Sequence, residues 1–403
     1  MNTSPPLSLW RNRDYLLLWS GEIVSELGTQ VSQLAYPLLI LALTGSPAQA
    51  GLAGALRSLP YLLLSLPAGA LIDRWNRKLV MILCDTGRAL CLASIALALA
   101  IGHLSIIQVY LVSMIEGTLF VFFNLAEVAC LPRVVPAQQL PTATAQNQIT
   151  SSVSFLLGPP LGGVLYGVSR LLPFLADALS YTASILSLLF IRTPFQEQRI
   201  GKSRNLWMDI KEGLVWLWHH PLIRFIAFLT GCVNLLITSS VVLIVIVVAQ
   251  HLHASSFTIG MLLSIGGAGG IIGVLIGPVI QKRWRFGQVM IAIACLRAIL
   301  WPLIAVVPNL AVLALVIAIF SPLGPIYDVV QFSYRMALIP DVLQGRVNSV
   351  FRLIAFGGQP LGLALAGLLL QTIQAVPTIL IIGGCLVLLA VSTISNPHVR
   401  SAP

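Results

Sequence analysis

Gly69-Ala70-Leu71-Ile72-Asp73-Arg74-Trp75-Asn76-Arg77-Lys78 places Asp73, Arg74, Arg77 and Lys78 together in a chain in which only 9% of residues are charged. Apolar runs flank it, near 47–72 and 79–101. Each is long enough to cross a hydrocarbon core of about 30 Å, which takes about 20 helical residues. So short a connection makes the two crossings antiparallel neighbours, with the charged loop at the membrane surface. Outward from it, comparable runs recur near 15–43, 105–131, 143–168, 171–191, 222–249, 257–280, 287–308, 311–337, 347–373 and 376–396. Within lipid the backbone must satisfy its own hydrogen bonds, so these runs read as helices. The expected fold is an all-α integral membrane protein with twelve transmembrane helices.

Composition agrees. Hydrophobic residues make up 57% of the chain, and the mean hydropathy is +0.93. A soluble domain would carry about a quarter charged residues. No connection is long enough for a nucleotide-binding domain, so any driving force must come from an ion gradient or the substrate's own gradient. The net charge of +10 is not a nucleic-acid footprint. In the twelve-span reading Arg11, Arg13, Arg74, Arg77, Lys78, Arg133, Lys202, Lys282, Arg283 and Arg346 gather on one side, while Arg170 lies on the other. The positive-inside rule then makes both termini cytoplasmic. Met1–Trp10 lacks the apolar core of a cleavable signal, so the first run is expected to stay in the membrane.

Negative readings narrow the function. The six cysteines show no C-x-x-C spacing and read as small buried apolar residues. His219-His220 and His251-x-His253 lack cysteine or carboxylate support, so no metal is expected. The glycines from Gly266 to Gly277 are not followed by Gly-Lys-Ser/Thr, so they form no phosphate loop and suit close helix packing instead. No arrangement suggests an enzyme, and no cofactor is expected.

The chain repeats itself. Leu9-Trp10 recurs as Leu217-Trp218, Gly69-x-x-x-Asp73-Arg74 as Gly277-x-x-x-Gln281-Lys282, and Pro132 as Pro340, each 208 residues later. Gly158-Pro159-Pro160-Leu161-Gly162 recurs as Gly358-Gln359-Pro360-Leu361-Gly362 after 200 residues. Four matches in order imply two six-helix halves, 1–191 and 222–403, with a substrate site expected at their interface. The linker, 192–221, carries Leu206, Ile210, Leu214 and Leu217 at helical spacing, an amphipathic interfacial helix.

A charge at the centre of a membrane helix costs about 2.5–3.5 kcal/mol, so buried charges must face protein or water. Glu22, Glu26, Thr29, Gln30 and Gln33 form one stripe of the first span, as do Glu116, Asn124 and Glu127 in the fourth. In the tenth, Ser321, Gly324, Asp328, Gln331 and Arg335 do the same. These stripes are expected to line a cavity. Glu22, Glu26 and Glu116 are either permanent ion-pair partners of Arg57 or Arg88, or carboxylates that take up and release a proton as cavity access changes. Glu127 and Arg335 occupy equivalent repeat positions with opposite charge, and could meet across the halves.

The Gly69–Lys78 loop and its repeat resemble the signature loop of the major facilitator superfamily. Gly158-Pro159-Pro160-Leu161-Gly162-Gly163 resembles the end of that superfamily's antiporter motif, without glycine at Ala145 and Ser154. Leu56-Arg57-Ser58-Leu59-Pro60, Pro67-Ala68-Gly69-Ala70-Leu71-Ile72-Asp73-Arg74 and the opening Leu9-Trp10-Arg11-Asn12-Arg13-Asp14-Tyr15 are similar to the branch that includes macrolide efflux proteins and the enterobactin exporter. The resemblance implies a monomer in the bacterial inner membrane. It would export an amphipathic small molecule, such as a drug or siderophore, by alternating access in exchange for protons. It also implies a gating role for the loop, with Asp73 docking at the start of the eleventh span beside Arg352. Acidic lining favours a cationic or neutral ligand. A lysolipid flippase of the same fold and a transport-dead membrane sensor are the alternatives.

Overall fold

The computed structural model describes residues 9–72, 74–195, 206–246, 254–340 and 343–402. Among them there is helix and connection, with no strand. The helices of the first half are α1 (Arg13–Thr44), α2 (Pro47–Ile72), α3 (Arg77–Ala100), α4 (Ile106–Val134), α5 (Leu140–Val168) and α6 (Leu172–Phe190). The linker helix is α7 (Leu206–His219). The second half contains α8 (Pro221–Ile237), α9 (Ser240–Ile246), α10 (Ser256–Arg283), α11 (Phe286–Leu303), α12 (Leu310–Phe320), α13 (Leu323–Leu338), α14 (Gln344–Gly357), α15 (Gln359–Ile373), α16 (Ala375–Ser395) and the short α17 (Pro397–Arg400).

Local chemistry sets the boundaries. Asn12 Oδ1 accepts the Tyr15 amide at 3.1 Å and Asn76 Oδ1 that of Leu79 at 3.1 Å, so side chains satisfy amides that open α1 and α3. The first helix ends at Gly45, whose φ of 64° belongs to the left-handed region.

Over their described residues the twelve predicted spans fall on helix, but three are not the continuous helices the apolar pattern suggests. The seventh breaks between α8 and α9, where the Ser239 hydroxyl donates to the Leu236 carbonyl at 3.3 Å and competes with the helical ladder. The tenth divides at Ser321-Pro322 into α12 and α13, and the eleventh at Gly358 into α14 and α15, just before Pro360. A proline supplies no amide hydrogen, so the ladder weakens there. Ten helices among the described residues are long and apolar enough to cross a membrane, counting the α12–α13 and α14–α15 stretches once each. The linker pair Ile210–His219 and Pro221–Ile237 adds an eleventh candidate but turns by 108°. That turn lays α7 across the direction of α8, as an interfacial helix requires.

Two compact units emerge from the contacts, and they do not follow the sequence halves. One comprises Met1–Gly45, Leu56–Ile200 and Ser255–Ser264; the other comprises Ser46–Ala55, Gly201–Ala254 and Ile265–Pro403. The starts of α2 and α10 therefore each pack with the opposite half. In the first unit the core gathers Tyr15, Met81, Cys84, Phe123, Cys130 and Leu188. Both cysteines are reduced and serve as small apolar residues there. In the second unit the core includes Met290, Tyr327, Val347 and Phe351, and α7 contributes Leu217, fully buried in it. The linker helix is fixed further by an ion pair between Glu212 and Arg346 of α14.

Asp14 ties the two ends of the first unit's chain together. Its carboxylate accepts from the Arg192 amide at 3.2 Å, the Thr193 amide at 2.8 Å and the Thr193 hydroxyl at 2.5 Å. Hydrogen bonds to a charged group contribute about 1.5–3 kcal/mol, and partial solvent exposure reduces this. We expect Asp14→Ala to destabilise the protein by about 1 kcal/mol, read as a lower thermal unfolding midpoint, with Thr193→Ala causing little further loss when added. Strictly additive losses would count against a shared contact.

Candidate functional site

The acidic stripe of α1 is only partly a cavity lining. Glu22, Glu26 and Gln30 are half-buried and Gln33 is exposed. Gln30 Nε2 donates to Glu26 Oε1 at 2.9 Å. Glu22 of α1 and Glu127 of α4 are interacting neighbours within the first unit. Thr29 leaves the stripe: its hydroxyl lies 2.8 Å from the Tyr181 hydroxyl of α6, because a short side chain follows the nearest polar partner in an apolar helix bundle. Asn124 is half-buried on α4.

Glu116 faces away from this stripe and into the first unit. It is fully buried, with Oε1 2.8 Å from Arg57 Nη2 and Oε2 accepting from the Tyr36 hydroxyl at 2.9 Å. The arginine also lies over the Tyr36 ring, 5.6 Å from its centroid. Gly117 permits this approach, since a Cβ there would run into the Arg57 carbonyl. Nearby, Arg88 sits over Tyr181 at 4.1 Å, with Nη1 3.6 Å from Asp85.

Asp177 of α6 was not evident from the polar stripes, yet it is fully buried and touches Ser32 and Ser180. The available signal was spacing. Gly21, Ser25, Gly28 and Ser32 on α1, and Asp177, Ser180, Ser184 and Ser187 on α6, are small or polar residues at i, i+3/i+4 and i+7 positions. They form the seam between the two helices, where a Cβ on Gly21 would lie 2.9 Å from Ser187 Oγ.

In the second unit Asp328 is exposed and Gln331 is buried, its Oε1 without a hydrogen-bond partner among the described residues. Arg335 is buried with its guanidinium 3.6 Å from the Phe351 ring centroid. Arg297 lies over Tyr327 at 5.1 Å, and the Tyr327 hydroxyl is 2.6 Å from Thr230. A buried arginine over a tyrosine that bonds a threonine thus occurs in each unit. Glu127 and Arg335 belong to different units, and within them they meet Glu22 and Phe351. Arg352 is exposed on α14.

Asp73 lies outside the described residues. Around it, Arg74 is exposed and Gly69 has open space where a Cβ would be. Arg77 is buried and donates to the carbonyls of Ala129 at 2.8 Å and Phe195 at 3.4 Å; Lys78 donates to Ile191 at 2.7 Å and Leu189 at 3.3 Å. The Leu189 and Ile191 carbonyls lie at the end of α6, where the ladder leaves acceptors unused and the helix dipole favours cations. Two loop cations therefore hold the first unit together at that surface.

The antiporter-like segment works through two faces of α5. A Cβ on Gly158 would fall on the Gln30 side chain, and one on Gly162 would lie 2.6 Å from the Val31 carbonyl, so this face permits contact with α1. Pro159 and Gly163 form the next face, against the first turns of α10: a Cβ on Gly163 would strike the Ser256 carbonyl, and one on Gly260 the Pro159 carbonyl. Ser256 Oγ donates to the Gly163 carbonyl at 2.9 Å and Ser264 Oγ to that of Leu156 at 2.5 Å. The second unit repeats the arrangement. There Gly362 packs on the Leu235 carbonyl, and a Cβ on Gly51 of α2 would lie 2.5 Å from the Leu363 carbonyl.

A family model described as transmembrane secretion effector matches residues 4–402. The multidrug efflux pump Tap of Mycolicibacterium fortuitum is 24% identical over 96% of each chain. The macrolide efflux protein A of Streptococcus pyogenes is 27% identical over 52% of each. Among solved structures, that of the nucleoside transporter NupG superposes with a TM-score of 0.80, covering 97% of this chain and 100% of its own at 15% identity.

Proposed function

The chain belongs to the transmembrane secretion effector family of the major facilitator superfamily, and from that premise we propose that it exports an amphipathic, cationic or neutral small molecule in exchange for protons. It is a multi-pass membrane transporter and not an enzyme. Efflux is the activity named for Tap and macrolide efflux protein A, relatives that support the export direction. In this reading the protein acts as a monomer with both termini in the cytoplasm. The Gly69–Lys78 loop and the α5 glycines govern the alternation, with Asp73 latching near Arg352 and Glu127 and Arg335 exchanging partners.

The observation that carries proton exchange is the Glu22–Glu127 contact beside Glu26 on an otherwise apolar helix. Neighbouring carboxyl groups in an apolar helix bundle are a natural place to gain and lose a proton as water access changes. In this reading Gln30, Gln33, Asn124, Asp328 and Gln331 contact the substrate, and Arg57 holds Glu116.

Purified protein in liposomes, supplied with a fluorescent cationic drug and an imposed pH gradient, tests this. Gradient-driven drug movement is expected in the wild type. It should be lost in at least one of Glu22→Gln, Glu26→Gln and Glu116→Gln, with drug binding retained. Equal gradient dependence in all three variants would remove these carboxylates from the coupling, and transport indifferent to the gradient in the wild type would overturn antiport.

A further inference from the structure

Three carboxyl groups of the first unit are fully buried among the described residues, and two of them are in ion pairs. Glu116 is paired with Arg57 at 2.8 Å and Asp85 faces Arg88 at 3.6 Å. Asp177 is equally buried, yet no basic side chain among the described residues forms an ion pair with it. Its contacts are two hydroxyls: Ser32 Oγ is 2.5 Å from Oδ2 and Ser180 Oγ is 3.2 Å from Oδ1.

Those hydroxyls have other acceptors. Ser180 Oγ lies 2.7 Å from the Asp177 backbone carbonyl, nearer than the carboxyl, and Ser32 Oγ lies 3.1 Å from the Thr29 carbonyl. A serine hydroxyl carries one proton and two acceptor sites. Ser32 Oγ is nearer to the carboxyl group than to the Thr29 carbonyl, so it either donates to a carboxylate or gives its proton to Thr29 and accepts from a carboxyl O–H. The second arrangement leaves the acid neutral. An unpaired carboxylate in the same position would be expensive in a membrane interior.

Room for this group is built into α1. A Cβ on Gly28 would lie 2.8 Å from Asp177 Oδ1 and would overlap Ser180 Oγ. Glycine at this position lets α6 bring its carboxyl group against the α1 backbone.

We propose that Asp177 is a proton-binding site of the transporter, neutral in the conformation described here and discharged when water enters the α1–α6 seam. The step is a simple transfer. The carboxyl O–H bond breaks, the proton passes to an entering water molecule, and the negative charge stays on the carboxylate. Groups in electrostatic range are Arg57 on α2, Arg88 on α3, Glu116 on α4, Tyr36 on α1 and Tyr181 on α6. The two arginines would meet the new charge, at the expense of their present attachments to Glu116 and Tyr181. Protonation of Asp177 and the partner choice of Arg57 and Arg88 are thereby linked.

The use of this proton in transport rests on the antiport reading; its presence on Asp177 does not. Infrared spectroscopy of the full-length protein in lipid at neutral pH is expected to show the carbonyl stretch of a protonated carboxylic acid that disappears in Asp177→Asn. Its frequency should move in Ser32→Ala, a variant that also serves if Asp177→Asn folds poorly. A spectrum unchanged in both variants would overturn the assignment. In the same liposomes, gradient-driven export should fall in Asp177→Asn to its level without a gradient. Full gradient dependence in that variant would exclude the site from coupling. A wild type indifferent to the gradient would overturn antiport, while the infrared band would still decide the proton.

Discussion

Glu116→Leu is expected to destabilise the protein by about 3 kcal/mol, the lower end of the range for breaking one side of a buried ion pair. The lower end applies because the Arg57 side chain retains 23% exposure while Glu116 has none. Removing the carboxylate leaves a guanidinium without its counter-charge and a Tyr36 hydroxyl without its acceptor. Arg57→Met should be similarly damaging, since it strands the anion. The double variant removes both charges and should lose clearly less than the sum of the single losses. Unfolding midpoints of the four proteins in one detergent provide the cycle, and additive losses would mean that the pair contributes no mutual stabilisation.

Gly162→Leu and Gly163→Leu should abolish export, whereas Gly384→Ala on α16 should leave it near wild type. A Cβ at Gly162 meets the Val31 backbone carbonyl at 2.6 Å, and one at Gly163 meets that of Ser256. Backbone cannot yield as a side-chain tip can, so α5 must separate from α1 or α10. Overpacking by even a methylene costs about 1–3 kcal/mol, and leucine adds more than that. Gly384, by contrast, has open space around its missing Cβ. Export rate normalised to folded protein distinguishes the cases. Active transport by Gly162→Leu would show that α5 does not need this close approach, and inactivity of Gly384→Ala would show that the effect is not specific to close backbone contacts.

Much of the architecture was legible from residue order alone. Apolar length specifies the spans, because lipid admits only segments that satisfy their own backbone hydrogen bonds. Repeat spacing marked Gly158 and Gly162 as the counterparts of Gly358 and Gly362, and the structure gives both pairs the same task against α1 and α8. Helical periodicity placed Glu22 and Glu26 on one face. Spacing also made the α7 face apolar, and Leu217 is buried accordingly.

Pairing between helices was beyond the sequence, because periodicity fixes the face of a residue on its own helix and says nothing about which helix lies opposite. Arg57 was a candidate partner for any of three glutamates and selects Glu116; Glu22 meets Glu127 instead. The polar pattern gave Thr29 to the α1 stripe, but its short hydroxyl follows Tyr181. Arg77 and Lys78 read as surface charge until the ends of α4 and α6 supply carbonyls for them. Asp177 was hidden among serines in an apolar helix, and its contact with hydroxyls in place of an ion pair exists only once α1 closes over it. Residue order determined the spans, the repeat and the faces; tertiary packing decided which buried charges are paired and which one is left to hold a proton.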